Sequence, residues 1–324
     1  MEKKEVVVKP DFVGPIEVHD YSEIKDNVNE ARKQFITNHD AIIKKNKIAS
    51  GIFFVIAIGL VILGYFLPKL LGLSFGLVCA SLLVVWLFTR YQRKQMDALV
   101  TEYLYQYSLN CNSYMYTGED ITDVEIGFKQ SPDHQIIKLL NISDNVSQIV
   151  SRELVKGKMD GHNFSAADVS LKEGDAKRQR NMKALLVGKL FVFDYSFKDE
   201  GRTLLYLKGC GDASPTKLDD VNKVEVSKLK KEWEVYTSHK EYNKIFSADL
   251  IKALNKLECD DTLNDIVISI VAGHILIGLS YCDEAMIIPM RNEYETKHFE
   301  HKVNDFEIVK LINKALIDNS NIIK

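Results

Sequence analysis

IASGIFFVIAIGLVILGYFL, from Ile48 to Leu67, and LLGLSFGLVCASLLVVWLFT, from Leu70 to Thr89, decide the architecture of this chain. Each run is 20 residues long and neither contains a charged side chain. At about 1.5 Å rise per residue, a helix of that length reaches roughly 30 Å, the thickness of a hydrocarbon core. Only Pro68 and Lys69 separate the runs. Pro68 cannot continue a helix cleanly, so the chain is expected to reverse there. The reading is a transmembrane helical hairpin over 48–89. A buried hairpin in a soluble core would rarely have two uncharged segments of full bilayer length. A cleaved signal peptide fits no better, because the first run lies far from Met1 and exceeds a signal core.

The flanking charges give the hairpin a direction. Lys44, Lys45 and Lys47 precede the first span, and Arg90, Arg93 and Lys94 follow the second, while the connecting loop has only Lys69. The positive-inside rule therefore places both termini in the cytoplasm of a two-span protein of the cell membrane. Tyr65, Trp86 and Tyr91 sit near span ends, where amphipathic rings favour the interface. The sequons at Asn141, Asn145 and Asn163 would matter only if the large region lay outside. Gly72, Gly76 and Ala80 repeat every fourth position on one face of the second span. Such a face allows close helix approach, either against the first span or against a second copy in a homo-oligomer. Neither span has an ionisable residue of the kind an ion or proton pathway uses.

Outside the spans the composition is that of an ordinary folded protein. The chain has 324 residues, with 46% hydrophobic and 27% charged, and a mean hydropathy of −0.11. Its net charge of −3 argues against a dedicated nucleic-acid partner. The cysteines, Cys79, Cys111, Cys210, Cys259 and Cys282, form no C-x-x-C pair. They suggest neither a disulfide framework nor a zinc site and suit a reducing compartment.

Working outward, residues 1–20 read as an extended tail with Pro10 and Pro15. Tyr21, Ile24, Val28, Ala31, Phe35 and Ile42 form an amphipathic helical stripe over 21–47 that runs into the first span. Past the second span, Met96, Leu99, Tyr103, Tyr107, Cys111 and Tyr114 keep helical spacing over 90–118, although Tyr103, Tyr105 and Tyr107 also alternate as in a strand. Continuation of an existing helix favours a helical stalk, paired with 21–47. Residues 119–324 read as an α+β region, a mostly antiparallel sheet covered by helices. Two short helices are expected over Asp120–Leu140, broken at Ser131-Pro132. Strands are expected at Gln148–Lys158, Asn163–Leu171 and Ala184–Phe197, the last turning at Lys198-Asp199-Glu200-Gly201 as a hairpin into Thr203–Leu207. Gly209–Pro215 reads as a loop, and Val221–Val226 and Glu232–Thr237 as strands. Lys240–Leu257 is helical, Ser247 or Asp249 starting a second helix. A hairpin turns at Ala272-Gly273, a short strand runs over Ala285–Met290, and Phe299–Ile317 closes as an amphipathic helix.

The chemistry is sparse. Phosphate-loop, nucleophile-elbow and H-E-x-x-H patterns are absent. His298 and His301, an i, i+3 pair near Glu295 and Glu300, could share a metal but read mainly as a solvated helix face. His162, His239 and His274 read as turn residues. Asp219-Asp220 and Asp260-Asp261 suit caps or turns more than paired acid–base work. Lys177, Arg178 and Arg180 form a basic cluster that could touch lipid headgroups or lie in a solvated loop. No catalytic residue, cofactor or metal is expected.

Gly188-Lys189-Leu190-Phe191-Val192-Phe193-Asp194 followed by Gly201-Arg202-Thr203-Leu204, and Trp233-Glu234-Val235-Tyr236-Thr237-Ser238 followed by Phe246-Ser247-Ala248-Asp249-Leu250, carry a further likeness. With Val271–Leu279 and the preceding hairpin, they resemble the bacterial domain-of-unknown-function 3137 family over residues 20–290. His239 stands where that family's pattern has Asp. The resemblance implies a membrane protein without an assigned reaction and carries over no catalytic residue. The expectation is a membrane-anchored cytoplasmic interaction or scaffold protein with an unidentified protein partner. The alternatives are a membrane-tethered enzyme with a dispersed site and a small transporter or channel subunit.

Overall fold

A computed structural model describes residues 11–66, 71–143, 146–174, 182–197, 201–209, 221–271, 273–282 and 286–319. The fold is α+β: two long helices, an antiparallel sheet and a C-terminal helix. It divides into two compact units, one comprising Lys25–Tyr107 with Ile288–Tyr294, the other Met1–Ile24, Ser108–Ile287 and Glu295–Lys324.

The first of these units is built on most of α1 (Tyr21–Phe66) and α2 (Leu71–Met115), whose outer ends, Tyr21–Ile24 and Ser108–Met115, belong to the other. Each is one continuous helix through the polar flank and the apolar span, as the unbroken stripe implies. In the polar part Val28, Phe35, Ile42 and Tyr103 are buried. Phe35 stacks on Tyr103 with ring centroids 5.6 Å apart. The expected strand at 285–290 does not form in its described part. Residues 288–294 run instead as a strap tied to the helices. Tyr103 donates its hydroxyl to the Pro289 carbonyl at 2.6 Å, and Arg32 donates to the Arg291 carbonyl at 2.7 Å. Asn29 accepts from the Tyr294 amide at 2.9 Å. A proline and irregular backbone suit such a strap, because its polar groups are satisfied by side chains rather than by a ladder.

The second unit is dominated by a sheet of nine described strands: β1 (Ile121–Gly127), β2 (Val146–Met159), β3 (His162–Glu173), β4 (Lys183–Asp194), β5 (Thr203–Lys208), β6 (Asn222–Val224), β7 (Trp233–Thr237), β8 (Leu263–Val271) and β9 (His274–Tyr281). Their order is β1-β2-β3-β4-β9-β8-β5-β7-β6, and every pairing is antiparallel. This order corrects two expectations. Ile121–Gly127 is a strand rather than a helix, because it pairs with β2. β4 and β5 are not a hairpin: β9 and β8 lie between them. β5 joins the sheet three positions from β4, with two strands between them, which local turn residues cannot reveal.

Central strands of this sheet are covered on both faces, which explains their almost unbroken apolar runs. On one face, Phe191 and Phe193 of β4 and Phe164 of β3 meet the C-terminal helix α5 (Lys297–Ile317) and Tyr116. Phe306 of α5 is wholly buried, stacked on Phe191 at 5.4 Å and edge-on to Tyr116 at 5.0 Å. Truncating such a ring costs about 3–5 kcal/mol. On the other face, Leu190, Val192, Val169, Leu204, Tyr206 and Leu276 pack with Ile137 and Leu140, from and beside the short helix α3 (His134–Lys138). Asp133 caps that helix by accepting from the Gln135 amide. Ser247 likewise caps α4 (Ala248–Leu254) through the Leu250 amide.

Both described sheet edges are blunted rather than left as long open ladders. Val13 exchanges two backbone hydrogen bonds with Ile126 of β1, at 2.8 and 3.0 Å. β1 also has a register shift between Thr122 and Glu125, with Asp123 in the left-handed region. The opposite edge, β6, is three residues long and has Lys223 paired to Glu234.

Candidate functional site

Two features stand apart from ordinary packing: the apolar halves of the long helices, and a set of charges inside the sheet unit.

The helices contain windows of mean hydropathy 2.5 and 1.4 that are only 6% buried. Phe54, Val55, Val61, Phe75 and Leu82 are among the exposed large apolar residues there. Each such side chain gains about 1.5–3 kcal/mol on leaving water. Left wet, the two segments would together forfeit tens of kcal/mol by that scale, more than a domain's net stability. Both helices are therefore long and apolar enough to cross a membrane. Gly72, Gly76 and Ala80 are exposed on α2. A Cβ added at either glycine meets no atom within 4 Å. Among the described residues, nothing covers this small-residue face. Lys177, Arg178 and Arg180 lie outside the described residues, as do Cys210, the Asp219-Asp220 pair, most of the Gly209–Pro215 loop and the turn at Lys198–Glu200.

The internal charges come from β2, β3, β4 and α5. Asp168 and Lys189 are directly opposed across β3 and β4, and their ion pair measures 2.9 Å. Glu153 reaches the same interior by a different device. The β2–β3 register shifts between Arg152 and Val155, and Glu153 adopts a left-handed φ of +59°. An extra residue in a strand re-aims a side chain, and a non-glycine residue in this region is strained. Here the strained residue is a buried carboxyl, 6% exposed. Asn112 of α2 donates to its Oε2 at 3.3 Å. Lys302 of α5 is buried too, its ammonium 5.4 Å from the centre of the Tyr281 ring.

Burial and the Asp168 charge push Glu153 up to about 7, against the pull of Lys189 and Lys302. Burial lowers Lys302, with Asp168 and Glu153 opposing and Lys189 adding to the fall. Lys189 is also desolvated, but Asp168, Tyr116 and Glu153 outweigh that and hold it well above the usual ammonium range. Two carboxyls thus face two ammoniums, with one carboxyl poised near neutrality. The group can take up and release a proton, but Glu153 and Lys189 are too enclosed to meet a substrate.

No family model, curated protein or solved structure matches the chain.

Next to this group runs a chain of contacts to the surface. Tyr281 donates its hydroxyl to Asp305 at 2.9 Å. His301 has Nδ1 3.0 Å from Asp305 and Nε2 2.9 Å from Asp260. Both ring nitrogens therefore face carboxylate oxygens, which only accept hydrogen bonds, so the doubly protonated ring satisfies the site best. Burial works against that charge, but Asp260 and Asp305 prevail and raise His301. This corrects the reading of His301 as a solvated helix residue. Asp260 fills the expected turn role, accepting from the Thr262 and Leu263 amides at 2.7 Å. Among the described residues no three His, Cys, Asp or Glu side chains gather as a metal site. His162 and His274 begin β3 and β9, with His274 held 2.9 Å from Asp194.

None of the internal charges was anticipated from the sequence, although two carry a signal there. Lys302 falls on the stripe Phe299, Phe306, Val309, and Lys189 interrupts the apolar run Leu185–Phe193. Glu153 gave no signal, because only the bulge turns it inward.

Proposed function

We propose that this is a membrane-anchored interaction or scaffold protein of the cell membrane, with both termini and the α+β region on the cytoplasmic side. The supporting observation is the pair of uncharged, bilayer-length helices whose apolar surface is exposed. Lys44, Lys45, Lys47, Arg90, Arg93 and Lys94 at their outer ends favour that orientation. Kinship with the domain-of-unknown-function 3137 family is part of the same proposal and supplies no reaction.

An enzyme would need polar groups converging on an open pocket. Glu153, Asp168, Lys189 and Lys302 converge inside packed protein rather than on an open pocket. A transporter reading lacks ionisable groups in the spans. For a protein partner, the blunted sheet edges leave little backbone for strand addition. The cleft of about 470 Å³ between α4 and α5 is the better seat, lined by Lys252, Lys256, Lys314, Asp249, Asp318 and Leu311 among others. The open face of Gly72, Gly76 and Ala80 suits a second copy.

The test is cysteine accessibility in intact cells. With Lys69→Cys, an impermeant maleimide labels position 69 from outside, whereas Cys210 and Cys259 react only after lysis. The reverse pattern overturns the orientation. Recovery of the folded chain in a detergent-free ultracentrifugation supernatant overturns the anchoring.

A further inference from the structure

Among the charged groups outside the sheet unit, six basic residues share one level of the helix pair. Phe35 stacked on Tyr103 sets the register of α1 and α2. Since α1 ends at Phe66 and α2 begins at Leu71, the four intervening residues make the pair antiparallel. Lys44, Lys45 and Lys47 lie about 14–18 Å beyond Phe35, and Arg90, Arg93 and Lys94 about 14–20 Å beyond Tyr103, at 1.5 Å per residue. The two triplets therefore stand side by side, immediately before the apolar spans.

All six are exposed, while Ile42 and Gln92 at that level are buried. No Asp or Glu occurs between Asp40 and Asp97. Among the described residues none of the six is paired with a carboxylate. A shallow cleft of about 380 Å³ is lined by Asp40, Ile43, Lys44, Lys47 and Ile48, so two ammoniums flank the first residue of the span. Trp86, one turn inside the second span, has the Arg90 guanidinium 5.4 Å from its ring centre.

We propose that Lys44, Lys45, Lys47, Arg90, Arg93 and Lys94 form a collar that binds the phosphate of anionic phospholipids, selecting the lipids around the hairpin. This rests on the membrane-anchored reading. Orientation needs only an excess of positive charge on one side. Six charges without an ion-pair partner among the described residues, level with each other and touching an apolar surface, go further and match a negative headgroup whose acyl chains lie along Ile48 and Trp86. Each basic group near an anionic surface adds to the attraction, and salt weakens it.

Trp86 supplies the probe, since the chain has only one other tryptophan, Trp233. Full-length protein with Trp233→Phe is reconstituted into phosphatidylcholine vesicles containing either brominated phosphatidylcholine or brominated phosphatidylglycerol at equal bromine content. The expected result is several-fold stronger quenching of Trp86 by the anionic lipid at low salt, with the difference shrinking in high salt. Replacing all six basic residues by Gln removes the preference and leaves quenching by both lipids. Equal quenching of the unmutated collar by the two lipids at low salt overturns the collar and leaves the anchor standing. No quenching by either overturns the anchor, and the collar with it. The lipid and salt comparisons stand without the six-fold variant, should that variant fail to fold.

Discussion

Replacing Glu153 by Gln is expected to stabilise the sheet unit, and only above mildly acidic pH. The carboxyl sits in a closed interior near Asp168, and burial with that neighbour raises it from its ordinary 4.5 to about 7. A raised acid is neutral in both folded and unfolded chains below its unfolded value. Its penalty grows between the two values and is complete above the folded one. The span from 4.5 to about 7 corresponds to about 3 kcal/mol. Gln has no proton to lose and keeps an amide oxygen for the Asn112 donor. Melting of the full chain with Trp86→Phe in detergent, followed by the fluorescence of buried Trp233 in β7, reports this unit. At roughly 2–4 °C per kcal/mol for a domain of this size, Glu153→Gln should melt about 6–12 °C higher at pH 8. Near pH 4.5 the two proteins should coincide. A variant less stable than the parent at pH 8 would refute the argument, because Glu153 would then be an ionised partner of Lys189 and Lys302.

His301→Gln should show the opposite pH trend. A raised histidine contributes fully below its unfolded value and loses that contribution as pH climbs through the folded one. The variant should therefore be destabilised at pH 6 and nearly indistinguishable at pH 9 in the same melt; a constant difference would remove the role given to Asp260 and Asp305. Gly188→Ala should disrupt the β4–β9 pairing. Its Cβ would collide with the Leu279 carbonyl oxygen and lie 2.9 Å from that carbonyl's carbon, backbone that cannot step aside. A loss of about 3 kcal/mol or more is expected from the denaturation midpoint. Ser247→Ala removes the cap accepted from the Leu250 amide at 3.2 Å. It should cost about 1 kcal/mol and raise hydrogen exchange at the first turn of α4.

Patterns that repeat along the chain were legible, and pairings across it were not. The spans, the stripe Tyr21–Ile42 and the strands around Ile149, Leu190 and Ile268 follow from hydrophobic period alone. The hairpin at Gly273 could be placed because a glycine at φ +83° has a local signature. The insertion of β8 and β9 between β4 and β5 depends on which edge of β4 is free, which no turn residue records. Ile121–Gly127 looked helical because its bulge at Asp123 breaks the alternation that marks a strand. The strap at Pro289–Tyr294 exists through Tyr103, Arg32 and Asn29, whose helical spacing said only that they were polar or aromatic. The internal charges were not anticipated, although Lys189 and Lys302 interrupt apolar stretches of the sequence. Their partners became visible only once the β2 and β3 registers were known.

The stitch of Val13 onto Ile126, the kink at Asp123 and the brevity of β6 have a consequence for a tethered protein. Copies confined to a surface collide in two dimensions, with far fewer orientations to sample than in bulk water. An open ladder would then zip neighbour to neighbour into ribbons. With one rim stitched at Val13 and the other cut to three residues, this sheet offers such zipping little ladder to start from.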